Sequence, residues 1–495
     1  MSGGLMQLVA RGAQDIYLSG NPVITYFKAV YRRHTNFAME SIMQNFNKPV
    51  GWGESLSCLI GRNGDLISGM HLQVKLPDIT CTGDIYEQQC WTDNIGHHLI
   101  KEISIEIGGQ KIDHHYGDWL EIWSQLTVPA GKMKGYLEMI GQDPQTPLAM
   151  NTGLQRDVGA TNVIKGRYIF IPFQFWFCRH IGLALPMICL QYHEVKINLT
   201  LRNFRDVFIH NNHDPRLLNP VKLGDLPEAD LKDVTLWVDY IYLDTDERRR
   251  FAQVAHEYLI EQVQYAGDYN LSAGLNNIVV DLNFNHPVKE LIWFCRFSEC
   301  TNFSDKSSPN QWCNFTTTPA TTHTSLGTNI INRHPNQEGN IVEFKLGDIG
   351  NIDTLEENVK PTNLTSITSH SHTRPSGALN QVENATITLN GNERVDRREG
   401  YYFNWIQCYK HHTNIPNSPG INVYSFALHP EEHQPSGSCN FSRLIDAKLH
   451  LTLRPGKTLP QGLNFFESSR NVYVYALSYN VLRIMSGMAG LAYSE

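Results

Sequence analysis

Charge is scarce in this 495-residue sequence. Charged residues make up 18 %, and acids outnumber bases 49 to 41, for a net charge of −8. A protein that grips nucleic acid needs a concentrated positive field to displace counterions from phosphates. The densest basic clusters are Arg32-Arg33 and Arg248-Arg249-Arg250, and each has acids or histidine close by. Direct nucleic-acid binding is therefore not expected. Long apolar runs are also missing. The best candidate, Tyr168 to Leu190, is broken by Pro172, Pro186 and Arg179-His180, so no membrane-spanning segment is expected. Met1 to Gly20 lacks the basic patch and apolar core of a secretory signal. The ten cysteines (58, 81, 90, 178, 189, 295, 300, 313, 408, 439) contain no CxxC. They read as mostly buried, reduced thiols in a cytoplasmic setting, with Cys81/Cys90 and Cys295/Cys300 close enough in sequence for local bridges. Helical spacing is confined to two short stripes, Trp119/Ile122/Trp123/Leu126 and Met133/Tyr136/Ile140.

What the sequence does have is period-two alternation, the mark of strands with one buried face. It runs through Met70–Leu76, Ile103–Ile107, Val195–Leu201, Leu449–Leu453 and Val472–Ala476. Turn signals at Asn63-Gly64, Gly108-Gly109 and Asn390-Gly391 supply the positive φ that hairpins need. The chain also repeats itself. Glu194–Arg202 (EVKINLTLR) aligns with Asp446–Arg454 (DAKLHLTLR) at 446 − 194 = 252, with five of nine positions identical. A strand, a glycine turn and a lone aspartate recur as Ile103–Asp113 and Ile387–Asp396. Aromatic-rich strands, Val234–Leu243 and Val472–Val481, close both halves.

Eight strands are expected in the first half, near Asn36–Asn45, Ser55–Ile60, Leu66–Leu76, Ile103–Ile107, Gln110–Asp113, Tyr168–Phe177, Val195–Leu201 and Val234–Leu243. The fold class is all-β, two tandem eight-stranded antiparallel jelly rolls with short helices in the loops. The expected division is an N-terminal arm at 1–35, a first roll at 36–244, a linker helix at 245–257 and a second roll at 258–495. Asp244 and Glu247 suit a capping box at the start of the linker helix.

Enzyme-like motifs are incomplete. His256-Glu257 starts like a zinc-protease helix, but Ile260 stands where the second ligand belongs. Gly51-Trp-Gly53 has Leu56 in place of a third glycine, and no Gly-x-Ser-x-Gly elbow occurs. The adjacent histidine pairs 97/98, 114/115 and 411/412 read as polar loop or strand-end residues, since strand neighbours point to opposite faces. No catalytic, cofactor-binding or metal-binding residues are assigned, and no cofactor is expected. Seven Asn-x-Ser/Thr sequons occur, at 198, 270, 302, 314, 363, 384 and 440.

Several blocks resemble the major capsid proteins of large nucleocytoplasmic DNA viruses, of the phycodnavirus, iridovirus and mimivirus type. They are the opening Met1–Leu5 and Gly12–Pro22, Ile24–Phe37, Arg62–Leu66, Trp237–Tyr240, Asp246–Phe251, His256–Ile260, Tyr424–Gly437 and Asn440–Arg443. Residues 300–380 carry no part of the resemblance. It implies a double jelly roll without enzymatic activity, trimerising into pseudo-hexagonal capsomers that tile an icosahedral shell over an inner membrane. The implied partners are further copies of the chain and minor capsid proteins beneath the shell, with the membrane nearby but not spanned. The implied location is the virion capsid, assembled in the host cytoplasm. A carbohydrate-binding or carbohydrate-active β-sandwich is the alternative.

Two further expectations concern loops. The apolar residues of the N-terminal arm, Leu5, Leu8, Val9, Ile16, Tyr17 and Leu18, suit an arm folded under the capsomer. The connection at about 298–384 far exceeds its 77–102 counterpart, and its Ser/Thr/Asn/Pro/His-rich stretches place it outside the sandwich. It is expected to form an outward tower, with Trp312 and Phe315 among the anchors of a compact cap and Asn302, Asn314 and Asn363 as accessible glycosylation sites.

Overall fold

The computed structural model describes residues 2–24, 26, 31–80, 87–142, 163–212, 229–301, 310–317, 333–335, 341–343, 379–416, 419–455 and 469–493. Eight strands build the first half: β1 Phe37–Gln44, β2 Ser55–Leu59, β3 Leu66–Lys75, β4 Ile100–Ile107, β5 Gln110–Tyr116, β6 Tyr168–Pro172, β7 Val195–Leu201 and β8 Lys232–Leu243. Eight more build the second: β9 His256–Tyr265, β10 Asn277–Asp281, β11 Pro287–Phe297, β12 Val382–Leu389, β13 Asn392–Glu399, β14 Asn422–Ser425, β15 Ala447–Leu453 and β16 Arg470–Met485.

Short strands also flank these sheets among the described residues, Leu185–Pro186 in the first half and Tyr269–Leu271, Cys439–Asn440 and Met488–Leu491 in the second, and with those set aside the sheet orders match. In the first half β1-β8-β3-β6 faces β2-β7-β4-β5, and in the second β9-β16-β11-β14 faces β10-β15-β12-β13. The strands pair antiparallel throughout, so each half is a jelly roll. The two segments that echo at a separation of 252 become β7 and β15, each between the second and fourth strands of its own roll. Their inward residues are buried, Val195, Ile197, Leu199 and Leu201 in one and Ala447, Leu449, Leu451 and Leu453 in the other.

Even an irregularity repeats. The β4–β5 pairing skips Ile112 and the β12–β13 pairing skips Arg394, giving the same bulge in both hairpins. This register corrects one expectation. Ile105 faces Asp113 while Ile387 faces Val395, so Asp113 and Asp396 are not equivalent. Gly108-Gly109 and Asn390-Gly391 have φ of +60°, +82°, +50° and +78°, as primed hairpin turns require. Asn63-Gly64 differs. Neither residue has positive φ, and the segment crosses between sheets. Its glycine is needed for close packing, because a Cβ there would stand 2.8 Å from Tyr240 Cβ.

The expected strand Tyr168–Phe177 stops at Pro172, which has no amide to donate, and a helical turn follows at Trp176–Arg179. Both helical stripes fall on helices or their ends, Gly117–Thr127 and Ala130–Met139. Between the rolls, the helix Thr245–Gln253 is capped by Asp244, whose carboxylate accepts from the Thr245 amide. Its Arg248 lies 3.1 Å from Asp65 of the first roll, which makes part of the arginine triplet a salt-bridging face. Cys295 is a free thiol and both it and Cys300 are buried, so the local bridge that their spacing allows is not formed. Cys81 lies outside the described residues.

Candidate functional site: the junction between the rolls

The helix Gly117–Thr127 follows β5 and turns its apolar stripe away from its own roll. Trp119, Ile122, Trp123 and Leu126 pack against Val263 of β9, Ile292 and Phe294 of β11, and Tyr475 and Leu477 of β16. Trp119 stacks on Trp123 at 5.4 Å and tilts onto Tyr475 at 5.7 Å. Alternate residues of β11 face the other way, with Leu291, Trp293 and Cys295 filling the second roll's own core. β11 is therefore buried on both faces. Fully burying a large apolar side chain contributes roughly 1.5–3 kcal/mol, so this junction fastens two domains into one body.

Charges cross the same surface. Arg296 of β11 grips Asp118 with two hydrogen bonds of 2.8 and 3.2 Å and donates to the Trp312 carbonyl at 2.7 Å. Burial alone would raise the Asp118 carboxyl, but the Arg296 charge and hydrogen bonds pull it below its ordinary value. Glu261 of β9 pairs with Lys289 and, at 2.9 Å, with Arg179 of the first roll. Asp113 accepts from the Val263 amide at 3.2 Å.

The histidine pairs depart from their expected setting. His97, His98 and His115 are almost completely buried, and the side chain of His412 is too. Pairs 97/98 and 411/412 sit on helices, so strand alternation applies only to 114/115. Carboxylates hold several of them in place. His97 Nδ1 is 2.7 Å from Glu121, His115 Nε2 is 2.9 Å from Asp113, and His412 lies 2.9 Å from both Glu290 and Glu431. Asp113 lies two residues before His115 on the same strand, whereas Glu121, Glu290 and Glu431 come from other elements, and sequence spacing carried no sign of them.

Next to Asp118, His98 Nε2 lies 3.1 Å from Cys313 Sγ and its ring stacks on Trp312. Burial drives His98 down to about 3, which leaves the imidazole neutral. Glu121 accepts hydrogen bonds from Asn94, Gln125 and His97. Trp312 and Phe315 thus do not anchor an outer cap. Trp312 sits at the junction under the Arg202 guanidinium, 3.7 Å from its ring, and Phe315 is buried beside Phe294.

His256-Glu257 begins strand β9, not a metalloprotease helix. Four of the nine tryptophans, Trp119, Trp123, Trp176 and Trp293, are buried in the cores and the junction, where they cannot serve as a sugar-binding platform. Asn314 is half-buried, donating to Gln311 and accepting from its own sequon partner Thr316. Asn302, Asn363 and most of the long connection lie outside the described residues.

Residues 25–244 match a family model described as major capsid protein N-terminus, and residues 247–490 match one for the large eukaryotic DNA virus major capsid protein. The chain is 43 % identical to the major capsid protein of Phaeocystis pouchetii virus and 36 % identical to that of Paramecium bursaria Chlorella virus 1. Both matches cover all of each chain. The solved structure of PBCV-1 VP54 is 32 % identical, with a TM-score of 0.68 over 95 % of this chain and 100 % of that one. The Faustovirus major capsid protein, 12 % identical with a TM-score of 0.64 over 96 % of this chain and 94 % of that one, shares the fold. The relatives are structural proteins, not enzymes, and the chain belongs to the major capsid proteins of large eukaryotic DNA viruses.

Proposed function

We propose that three copies of the chain close into a pseudo-hexagonal capsomer, and that these capsomers tile an icosahedral shell over an inner membrane. The observation that carries this reading is two rolls of identical strand order fastened into one unit. Three such chains offer six similar sandwiches, and cyclic closure satisfies all their side surfaces. Uncovered apolar residues supply the contacts. Phe37, Met39 and Met43 project from β1, and Ile445 is 98 % exposed beside β15. The domain division carried forward is 36–244 and 258–495, with 245–257 as linker. Assembly in the host cytoplasm and contact with minor capsid proteins belong to the same proposal.

The N-terminal helices Gly3–Val9 and Ile16–Ser19 bury no residue, and Tyr17 and Leu18 are almost fully exposed. That apolar surface fits an arm lying under the capsomer against neighbours or minor proteins. Sedimentation of the purified chain should give three times the 56.3 kDa chain mass, in high salt as in low, because apolar contacts are not screened. Deleting residues 2–20 should leave the trimer intact and reduce shell yield. A monomer at micromolar concentration would refute the trimer, and undiminished shells would refute the arm. The 298–384 connection is proposed to carry the outward tower beyond its junction-docked segment 310–317, with Asn302 and Asn363 as candidate glycan carriers and Asn314 half-buried at the junction. Limited proteolysis of particles should cut first between 318 and 378, and protection there would refute the tower.

A further inference from the structure

We propose that His98, Glu121 and Cys313 form a divalent-metal site, suited to zinc, that pins the second roll's long connection to the first roll. One donor atom from each residue lies within 4.8 Å of the other two. His98 comes from the helix Ile95–Leu99 and Glu121 from Gly117–Thr127, both in the first roll. Cys313 comes from the connection between β11 and β12. An ion here would join two segments about 200 residues apart in sequence, a span that the positions of His98 and Cys313 set directly.

The donor chemistry selects the metal. One nitrogen, one oxygen and one sulfur suit zinc, which bonds sulfur at about 2.3 Å and nitrogen or oxygen at about 2.0–2.2 Å in a tetrahedron. Donors in such a site stand roughly 3.3–3.8 Å apart, so a pair at the 4.8 Å limit would contract by about 1–1.5 Å, and His98 Nε2–Cys313 Sγ, now 3.1 Å, would open slightly. Charge also balances. Glu121 and a Cys313 thiolate would cancel the ion's two charges, and Arg296 already neutralises Asp118. Coordination moves the thiol proton to solvent.

An outer shell is already in place. With Nε2 facing Cys313, His98 turns Nδ1 toward Asp118 Oδ1 at 3.9 Å, and Nδ1 has no hydrogen-bond partner among the described residues. At that distance the two are not hydrogen-bonded, and a small rotation of the ring would close the gap so that the carboxylate orients a metal-bound imidazole. His97 and Gln125 hold the Glu121 carboxylate. A single Asn94 nitrogen lies 2.9 Å from both Glu121 oxygens and 3.8 Å from Cys313 Sγ, so an ion between these donors would take the place of that amide, which must swing aside. The Asp93 backbone carbonyl, 4.0 Å from the Cys313 sulfur, is a neutral candidate for the fourth donor.

The test is Co²⁺ titration of the full-length, chelator-stripped protein, read by thiolate-to-cobalt charge transfer in the near ultraviolet. The expected result is a band saturating at about one Co²⁺ per chain, as a single closed site requires. Zn²⁺ should displace it and Cys313→Ser should abolish it. His98→Gln should weaken binding by about tenfold or more. The absence of a band in the folded wild-type chain, or a band unchanged in Cys313→Ser, overturns the proposal. If Cys313→Ser does not fold, the wild-type thermal midpoint decides. It should rise with Zn²⁺ concentration by mass action, and a midpoint indifferent to Zn²⁺ overturns the site.

Discussion

The third strands of the two rolls hold the same topological place and live in different surroundings. β3 and β11 each pair with the long closing strand of their roll, Gln73 opposite Thr235 and Phe294 opposite Tyr473. Those partners hold matching places in the closing strands, so Phe294 stands where Gln73 does and Arg296 where Lys75 does. Gln73 is half-buried and the Lys75 side chain keeps 43 % of its exposure. Phe294 and Arg296 are buried almost completely. β3 behaves as the strand of an ordinary sandwich, apolar inward and polar outward. On β11 the outward residues have become an inter-domain core, because the helix after β5 lies across them. One fold has been used twice, and the second copy depends on the first.

Paired substitutions sharpen this difference. Phe294→Ala removes a buried ring from the junction, and Arg296→Met leaves Asp118 buried without its partner. Each should destabilise by about 3–5 kcal/mol, read as a lower thermal or denaturant midpoint. An intermediate effect is expected from pH. Burial would lower the imidazole of His412, yet Glu290 and Glu431 raise it to about 9. A pKa above the unfolded value of about 6.5 gives stability that is fully present below pH 6.5 and is lost as pH climbs through 9. Glu431 is held below its ordinary value despite burial, by its bonds to His412 and Thr413. Its contribution is present above the usual carboxylate pKa of about 4.3 and fades as pH falls below it. His412→Gln should therefore flatten the alkaline limb by about 3 kcal/mol, seen in midpoints measured from pH 6 to pH 10. The smallest effects belong to the first roll. Gln73→Ala and Lys75→Met should change stability by less than about 1 kcal/mol, the Lys75–Asp233 contact being exposed and 3.9 Å long. Equal costs on the two strands would erase the distinction.

The same comparison explains what could be read from the sequence. Strands with one wet face announce themselves by alternation, so β3, β4, β7, β8, β15 and β16 were legible, and the 252-residue echo exposed the duplication. β11 was not. Its run Leu291-Ile-Trp-Phe-Cys295 is apolar at every position, because both faces are covered, and periodicity vanishes when both faces are dry. Trp312 and Phe315 were misplaced for a related reason. Their neighbours Trp119, His98 and Arg202 lie far away in sequence, and composition reports a segment's average polarity, not its docking site. His97 and His412 looked like surface residues because their carboxylates, Glu121, Glu290 and Glu431, sit on other elements.

Native-state hydrogen exchange, followed peptide by peptide, tests the central claim that the junction makes one cooperative unit of two rolls. The helix Gly117–Thr127 and strand β11 should be protected to the same degree, and both should open only with global unfolding. If the helix exchanges about a hundredfold or more faster than β11, an opening more than about 2.7 kcal/mol easier, the second roll stands without the first and the account is wrong.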